Sequence, residues 1–283
     1  MGGAASYFRL GHPSARPLRP GLWLEAEGSE RTMAAACFRR HGSADCLELT
    51  DRFSRPSARD EQVLVRVFAA SVNPVDLKLR AYPLPPTLVP LPKITGTDFA
   101  GVVQSTDQSP RSPLRPGDRV MGAMPLLYAH WGSTCEFVCV SESLLTKIPD
   151  DLSFADAASL PLVGMTVVQA LQPHEASLVE PAVDGERKTV LIQGGAGGVG
   201  TFAIQYCANH LQLEVFTTCS PRNNELVTSL GANHAIDYHQ VDWCDFAHKF
   251  DLILDTKAYI YEEITEKYQL LKENVLWSEY ITA

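Results

Sequence analysis

No stretch of the sequence approaches the roughly 18 consecutive apolar residues that a membrane span requires, which argues against a helical membrane protein. Basic residues are in deficit. Twenty-four Lys and Arg against 33 Asp and Glu leave a formal charge of -9, the opposite of the balance expected for a binder of phosphate backbones. Nucleic acid is therefore not an expected partner. The seven cysteines (Cys37, Cys46, Cys135, Cys139, Cys207, Cys219 and Cys244) contain no C-x-x-C pair, so neither a zinc ribbon nor a thioredoxin-type motif is present. Cys135 and Cys139 lie in a stretch, TCEFVCV, that alternates like a strand. Four extended residues span about 13 Å, too far for one metal, and both thiols read as core fillers. No metal site is expected. Scattered reduced thiols indicate a reducing compartment, cytoplasmic or alternatively mitochondrial.

What is present suits a folded chain. Hydrophobic residues make up 45% of 283, the share of a globular protein with room for one large domain or two ordinary ones. Residues 1–32 read differently. Met1 to Leu24 carries Arg9, Arg16 and Arg19 and no acid, as an organellar presequence does, yet Pro13, Pro17 and Pro20 interrupt the helix such a segment needs. A disordered tail, or an upstream start before Met33, reads equally.

From Ala34 the text is that of short strands: Val63 to Ala70, Phe99 to Val103 and Arg119 to Met121. Pro83 to Pro92 holds five prolines in ten residues and reads as a stiff loop, or else as a polyproline ligand for an adaptor domain. After Pro149 the period becomes helical, over 154–160 and 163–171, with Pro173 ending the second segment before a polar connection to Lys188. Strands at 189–193, 214–218, 234–236 and 250–255 then alternate with helices at 201–211, 223–230 and 261–272, and a last strand falls near 275–280. That alternation predicts an α/β architecture with a doubly wound parallel sheet.

Gly195-Ala196-Gly197-Gly198-Val199-Gly200 satisfies G-x-G-x-x-G between a strand and a helix, the context in which it binds a dinucleotide. Gly195 is expected to make the tight turn, Gly197 to let the backbone approach a pyrophosphate, and Gly200 to let helix and strand pack. NAD sites place an acid at the end of the next strand, where this sequence reads Thr217-Thr-Cys-Ser220-Pro-Arg222. Ser220 can donate a hydrogen bond and Arg222 can pair with a 2′-phosphate, so NADPH is the expected cofactor.

Ser71-Val-Asn-Pro-Val-Asp76, Gly96-Thr-Asp98, Pro116-Gly-Asp-Arg-Val120, Ala157-Ala-Ser-Leu-Pro161, the glycine loop and Ser229-Leu-Gly-Ala232 resemble the medium-chain dehydrogenase/reductase superfamily. The chain is most similar to its zinc-independent quinone oxidoreductases and alkenal reductases, and Gly200-Thr-Phe-Ala-Ile-Gln205 resembles the mitochondrial reticulon-interacting branch. The resemblance implies a GroES-like, β-rich substrate domain at 33–157 and a Rossmann domain at 158–283, with the active site between them. It also implies hydride transfer from NADPH to a quinone or an α,β-unsaturated carbonyl. Zinc-dependent members carry Cys and His at motif positions that here hold Asn73 and Thr97-Asp98, poor partners for zinc.

By the same resemblance Asn73 and Lys78 face the nicotinamide ribose and substrate, and Lys78, a water or Tyr82 delivers the proton. Thr166 meets the cofactor and Tyr238 flanks the adenosine phosphate. Each residue also has a plain alternative: a turn residue for Asn73, a solvated charge for Lys78, and packing for Tyr82. Three departures from the family pattern stand out. Thr256-Lys-Ala-Tyr259 replaces a glycine-rich turn, the connection 173–188 is long, and the usual last strand and C-terminal return are missing. These features lead to the expectation of a shortened chain, less stable than a longer form that would be a homodimer. They also keep a second reading open, that of a non-catalytic NADPH-binding or scaffold protein.

Overall fold

The computed structural model describes residues 32–58, 62–106, 113–127, 129–179, 187–241 and 250–256. The chain forms two compact units that divide between Leu162 and Val163. The helix and strand expected at 261–272 and 275–280, residues 1–31, and all of the 256–259 turn except Thr256 lie outside the described residues.

The N-terminal unit is antiparallel. Strands β1 (Thr32–Phe38), β2 (Leu47–Ser54) and β4 (Lys93–Ile94) form a three-stranded sheet in the order β2-β1-β4. A five-stranded sheet runs β7-β3-β5-β6-β8, built from β3 (Gln62–Ala70), β5 (Asp98–Thr106), β6 (Arg119–Ala123), β7 (Phe137–Ser141) and β8 (Leu145–Lys147). Val63, Val65, Phe99, Val103, Val120 and Val138 bury their side chains in its core. These are the β-branched and aromatic types that pack well on a pleated surface. The proline-rich stretch belongs to this unit. Val89 is fully buried, and Leu84, Leu88 and Leu91 pack around it with Phe38, Val75 and Leu79. The polyproline-ligand reading is thus overturned, because the segment's apolar side chains anchor it to the core and it is not a free peptide.

Two helical expectations are corrected. Helix α1 (Pro74–Ala81) follows β3, but the segment 154–160 is helical only over α2 (Phe154–Ala157). Ser153 starts α2 by accepting the Asp156 N–H at 3.1 Å. Pro161 disfavours helical backbone at Leu160 and opens a new helix at its own first position, α3 (Pro161–Leu171). Helix α3 ends at Leu171, just before Pro173 as expected, but the polar connection that follows is not free of helix: Pro173 sits in a short turn, and α4 (Glu175–Val179) follows, burying Leu178.

The C-terminal unit holds a four-stranded parallel sheet of β9 (Thr189–Gln193), β10 (Glu214–Cys219), β11 (His234–Asp237) and β12 (Leu252–Asp255), in the order β11-β10-β9-β12. Helices α5 (Gly198–Gln205) and α6 (Asn224–Ser229) follow β9 and β10. Here α5 begins three residues before the expected start at 201 and ends in a wider π turn over Tyr206–His210. Val190, Ile192, Val215, Leu252 and Leu254 pack under Ala203, Ile204 and Cys207 of these helical segments. Strand β9 is flanked by β10 on one side and β12 on the other, so the chain order reverses at its C-terminal end. In open parallel sheets that is where ligands bind.

Candidate active site

The glycine loop leaves β9 at this reversal point. The left-handed residue of the turn is Gly194, with φ 70°, not Gly195 as the motif suggests. Gly195 instead lies under β10, where a Cβ would collide with the Thr217 hydroxyl. A Cβ on Gly200 would collide with the Gly194 carbonyl, so helix and loop touch there through bare backbone. Hydrogen bonds pin the loop to β10: Gly194 N–H donates to Thr218 Oγ1 at 2.9 Å and Gly195 N–H to the Thr218 carbonyl at 3.0 Å. Gly197 is the extended residue before α5, and it brings no capping side chain. Gly197 and Gly198 are exposed, whereas Ala196 and Val199 pack inward. The first turn of a helix has N–H groups without intrahelical partners and carries positive potential. An exposed, uncapped helix start at the switch point fits a dinucleotide pyrophosphate.

The remaining cofactor candidates sit in the same unit. Ser220 follows β10, half-buried, and its Oγ accepts from Asn223 Nδ2 at 3.1 Å. Arg222 projects from the same turn and is exposed. Tyr238 follows the neighbouring strand, exposed, with its ring 4.2 Å from that of His239. Thr166 is half-buried on α3. Around it, Val163 and Gly164 meet the start of α5, with Gly164 close against the Phe202 ring. Sequence reasoning missed Asp237. No acid stands at the C-terminal end of β10, since Glu214 opens the strand, but the parallel register pairs Cys219 with Asp237 of β11, so the adjacent strand brings a carboxylate to the strand ends. Its Oδ1 accepts the His239 N–H at 3.0 Å. Only strand pairing could have revealed it.

The N-terminal unit gathers a different set. Asn73 is buried at the start of α1, ahead of Pro74. Its backbone N–H donates to Asp76 Oδ2 at 2.8 Å, half of a capping box. Its side-chain Nδ2 donates to Asp98 Oδ2 at 3.0 Å. Asp98, fully buried, also accepts from Ser71 Oγ at 3.3 Å and from Leu162 N–H at 3.1 Å. Thr97 Oγ1 donates to Asp76 Oδ1 at 2.8 Å. Lys93 is buried beside them, its Nζ donating to the Ala129 carbonyl at 2.8 Å. With Phe38, Leu79, Pro125 and Leu126, Lys93 and Thr97 line a small cavity.

Burial governs the charges of this cluster. Loss of solvent raises the Asp98 carboxyl to about 6 against the pull of its hydrogen bonds, and it raises Asp76 as well. It lowers Lys93 to about 8, partly offset by Asp76. Of the three expected catalytic residues only Asn73 belongs to the buried cluster. Lys78 and Tyr82 are exposed on α1 and at its end. Asp98, Asp76 and Lys93 were not foreseen as site residues. The Gly96-Thr-Asp98 motif was the available signal, but it identified the family and gave no role for the aspartate.

Residues 59–150 match the family model described as "Alcohol dehydrogenase GroES-like domain". A tomato (Solanum lycopersicum) 2-methylene-furan-3-one reductase is 37% identical over 85% of this chain and 63% of its own length. The Arabidopsis thaliana chloroplastic NADPH-dependent alkenal/one oxidoreductase is 36% identical over 80% of this chain and 57% of its own. A solved quinone oxidoreductase from Coxiella burnetii superposes with TM-score 0.68 at 30% identity, covering 86% of this chain and 81% of that one. The chain belongs to the medium-chain dehydrogenase/reductase superfamily. It spans about three fifths of the length of the two curated relatives just named. Within that superfamily the antiparallel unit is the GroES-like one and the parallel sheet is the Rossmann one. Among the described residues no helix is long and apolar enough to cross a membrane, and no three His, Cys, Asp or Glu side chains converge as metal ligands.

Proposed function

We propose that this chain is an NADPH-dependent, zinc-independent reductase of quinones or α,β-unsaturated carbonyls. The observation that carries the reading is the exposed, uncapped start of α5 at the reversal point of the sheet, flanked by the Ser220–Arg222 turn. Gly195 to Gly200 would hold the pyrophosphate through backbone amides, with Thr166 nearby on α3 and Tyr238 flanking the adenosine phosphate. Ser220 and Arg222 would meet the 2′-phosphate, Arg222 through a charge-assisted hydrogen bond. The name of the Arabidopsis relative supports NADPH. The chemistry supplied by the bound cofactor is hydride donation. Asn73 would orient ribose and substrate, and Lys78 or Tyr82, both open to solvent, would return a proton to the reduced product.

Zinc independence is supported by the chemistry of the side chains at the two motif positions. The Asn73 amide donates to Asp98 and the Thr97 hydroxyl to Asp76, and neither supplies imidazole or thiolate. The one cysteine in the neighbouring segment 132–136, Cys135, is held as the neutral thiol, since burial pushes it up to about 12. The buried free thiols suit a reducing compartment, cytoplasmic or mitochondrial.

Steady-state oxidation of NADPH by a small quinone and by a short enone, before and after exhaustive chelation, tests the proposal. Turnover unchanged by chelation is the expected result. Cofactor binding without turnover on either substrate would favour the non-catalytic reading. Activity lost on chelation and regained with zinc would overturn the metal-free mechanism.

A further inference from the structure

We propose that Asp98 is a positioning residue whose ionisation decides which end of the Asn73 amide is presented away from the cluster, acceptor oxygen or donor nitrogen. The inference rests on the reading that Asn73 faces the cofactor and substrate.

An ionised carboxylate can only accept. Asp98 Oδ2 receives Asn73 Nδ2 at 3.0 Å and Ser71 Oγ at 3.3 Å, and Oδ1 receives Leu162 N–H at 3.1 Å. While Asp98 is ionised, the Asn73 side chain must therefore turn its NH2 group toward it. Because the amide is planar, Oδ1 then points the other way and offers an acceptor, which suits a ribose hydroxyl. Once protonated, Asp98 has an O–H to donate. The amide can then flip, giving its oxygen to Asp98 and presenting NH2 in the opposite direction. Both residues are buried, so water does not compete for these bonds.

The surroundings place this change within reach of ordinary pH. Among the groups packed around Asp98, Ser71 at the end of β3 and the Leu162 backbone on α3 do not titrate in this range. Asp76 on α1 is a titratable carboxyl that burial raises, and its charge opposes ionisation of Asp98. Lys93 on β4 acts on Asp76, lowering it. Burial adds the largest contribution, and together these raise the Asp98 carboxyl to about 6.

The test is a ligand-free titration of the full chain by nuclear magnetic resonance, following the Asp98 carboxyl carbon and the Asn73 side-chain amide. Both are expected to move together with one midpoint near 6. In Asp98→Asn the Asn73 amide should show no step in that range. An Asn73 amide that ignores the Asp98 titration in the wild-type chain overturns the inference, and that arm needs no variant to fold. A second arm compares NADP+ affinity at about pH 5 and pH 7.5. The 2′-phosphate itself titrates near 6, so the reference is Asn73→Ala, which retains that effect and lacks the amide. The wild type should lose about tenfold more affinity on acidification than Asn73→Ala does. Coupled titration together with Asn73→Ala binding and turning over as wild type would leave the amide switch standing and remove the functional role assigned to Asn73. Absence of coupling with Asn73→Ala strongly impaired would do the reverse.

Discussion

In the parallel unit the candidate site is made of backbone, exposed and almost without side chains, whereas in the antiparallel unit it is made of side chains, buried and charged. The glycine loop offers amides at the start of α5, and its geometry depends on the absence of Cβ atoms at Gly195 and Gly200. The cluster of Asn73, Asp76, Lys93, Thr97 and Asp98 depends on hydrogen bonds between residues far apart in sequence, 25 residues for Asn73 to Asp98 and 64 for Leu162 to Asp98. A backbone site tolerates no added atoms but is indifferent to pH. A buried side-chain site tolerates isosteric replacement but carries ionisation with it.

The largest effect is expected at Gly195. Gly195→Val would drive side-chain atoms into Thr217, and overpacking of this kind costs about 2–4 kcal/mol. Thermal unfolding should show that loss, and fluorescence titration should show NADPH affinity reduced by about a hundredfold or more, since β10 and the loop must separate. Wild-type affinity in Gly195→Val would mean that the loop does not need its close approach to β10.

The buried cluster should respond in the opposite sense. Asp98 holds its proton to about 6 in the folded chain, against an ordinary value of 3.8. Between those values the unfolded chain is already ionised while the folded chain still binds the proton, so stability falls as pH rises through this window and is lowest above it. Asp98→Asn should therefore unfold at higher urea than wild type near pH 7, by about 1–3 kcal/mol, and match it near pH 4. A variant less stable at neutral pH would show that the carboxylate's hydrogen bonds outweigh its desolvation.

These contrasts also explain what could be read in advance. The glycine loop, β9, β10 and the parallel strand–helix alternation were legible because each is a local signal: a strand-length apolar run, a turn chemistry and a helix start. Asp237 was not, because it reaches the end of β10 only through the parallel pairing with Cys219. Asp98 and Lys93 were not, because hydrophobic patterning says nothing about a buried charge that is hydrogen-bonded. The end of α3 before Pro173 was legible, but the short helix α4 beyond it was not, because a proline in the first turn of a new helical segment is compatible with helical backbone.

Asp237 gives the smallest effect and the finest comparison within the parallel unit. Its half-exposed carboxylate stands at the strand ends with Ser220, where it would weakly oppose a 2′-phosphate held as proposed, across solvent. Asp237→Asn is expected to tighten NADPH by about two- to threefold and to leave NADH unchanged, as measured by titrating both cofactors. Equal changes for both would mean that Asp237 only holds the turn through His239.

The central claim, that the parallel unit holds NADPH on a backbone cradle and selects it through Arg222, is tested most directly by titrating NADPH and NADH against wild type and Arg222→Ala, followed by nicotinamide fluorescence. A charge-assisted hydrogen bond is worth about 1.5–3 kcal/mol. NADPH should therefore bind tighter than NADH in wild type and lose about ten- to a hundredfold in Arg222→Ala, with NADH barely changed. Equal losses for both cofactors, or tighter binding of NADH to the wild-type chain, would contradict the account.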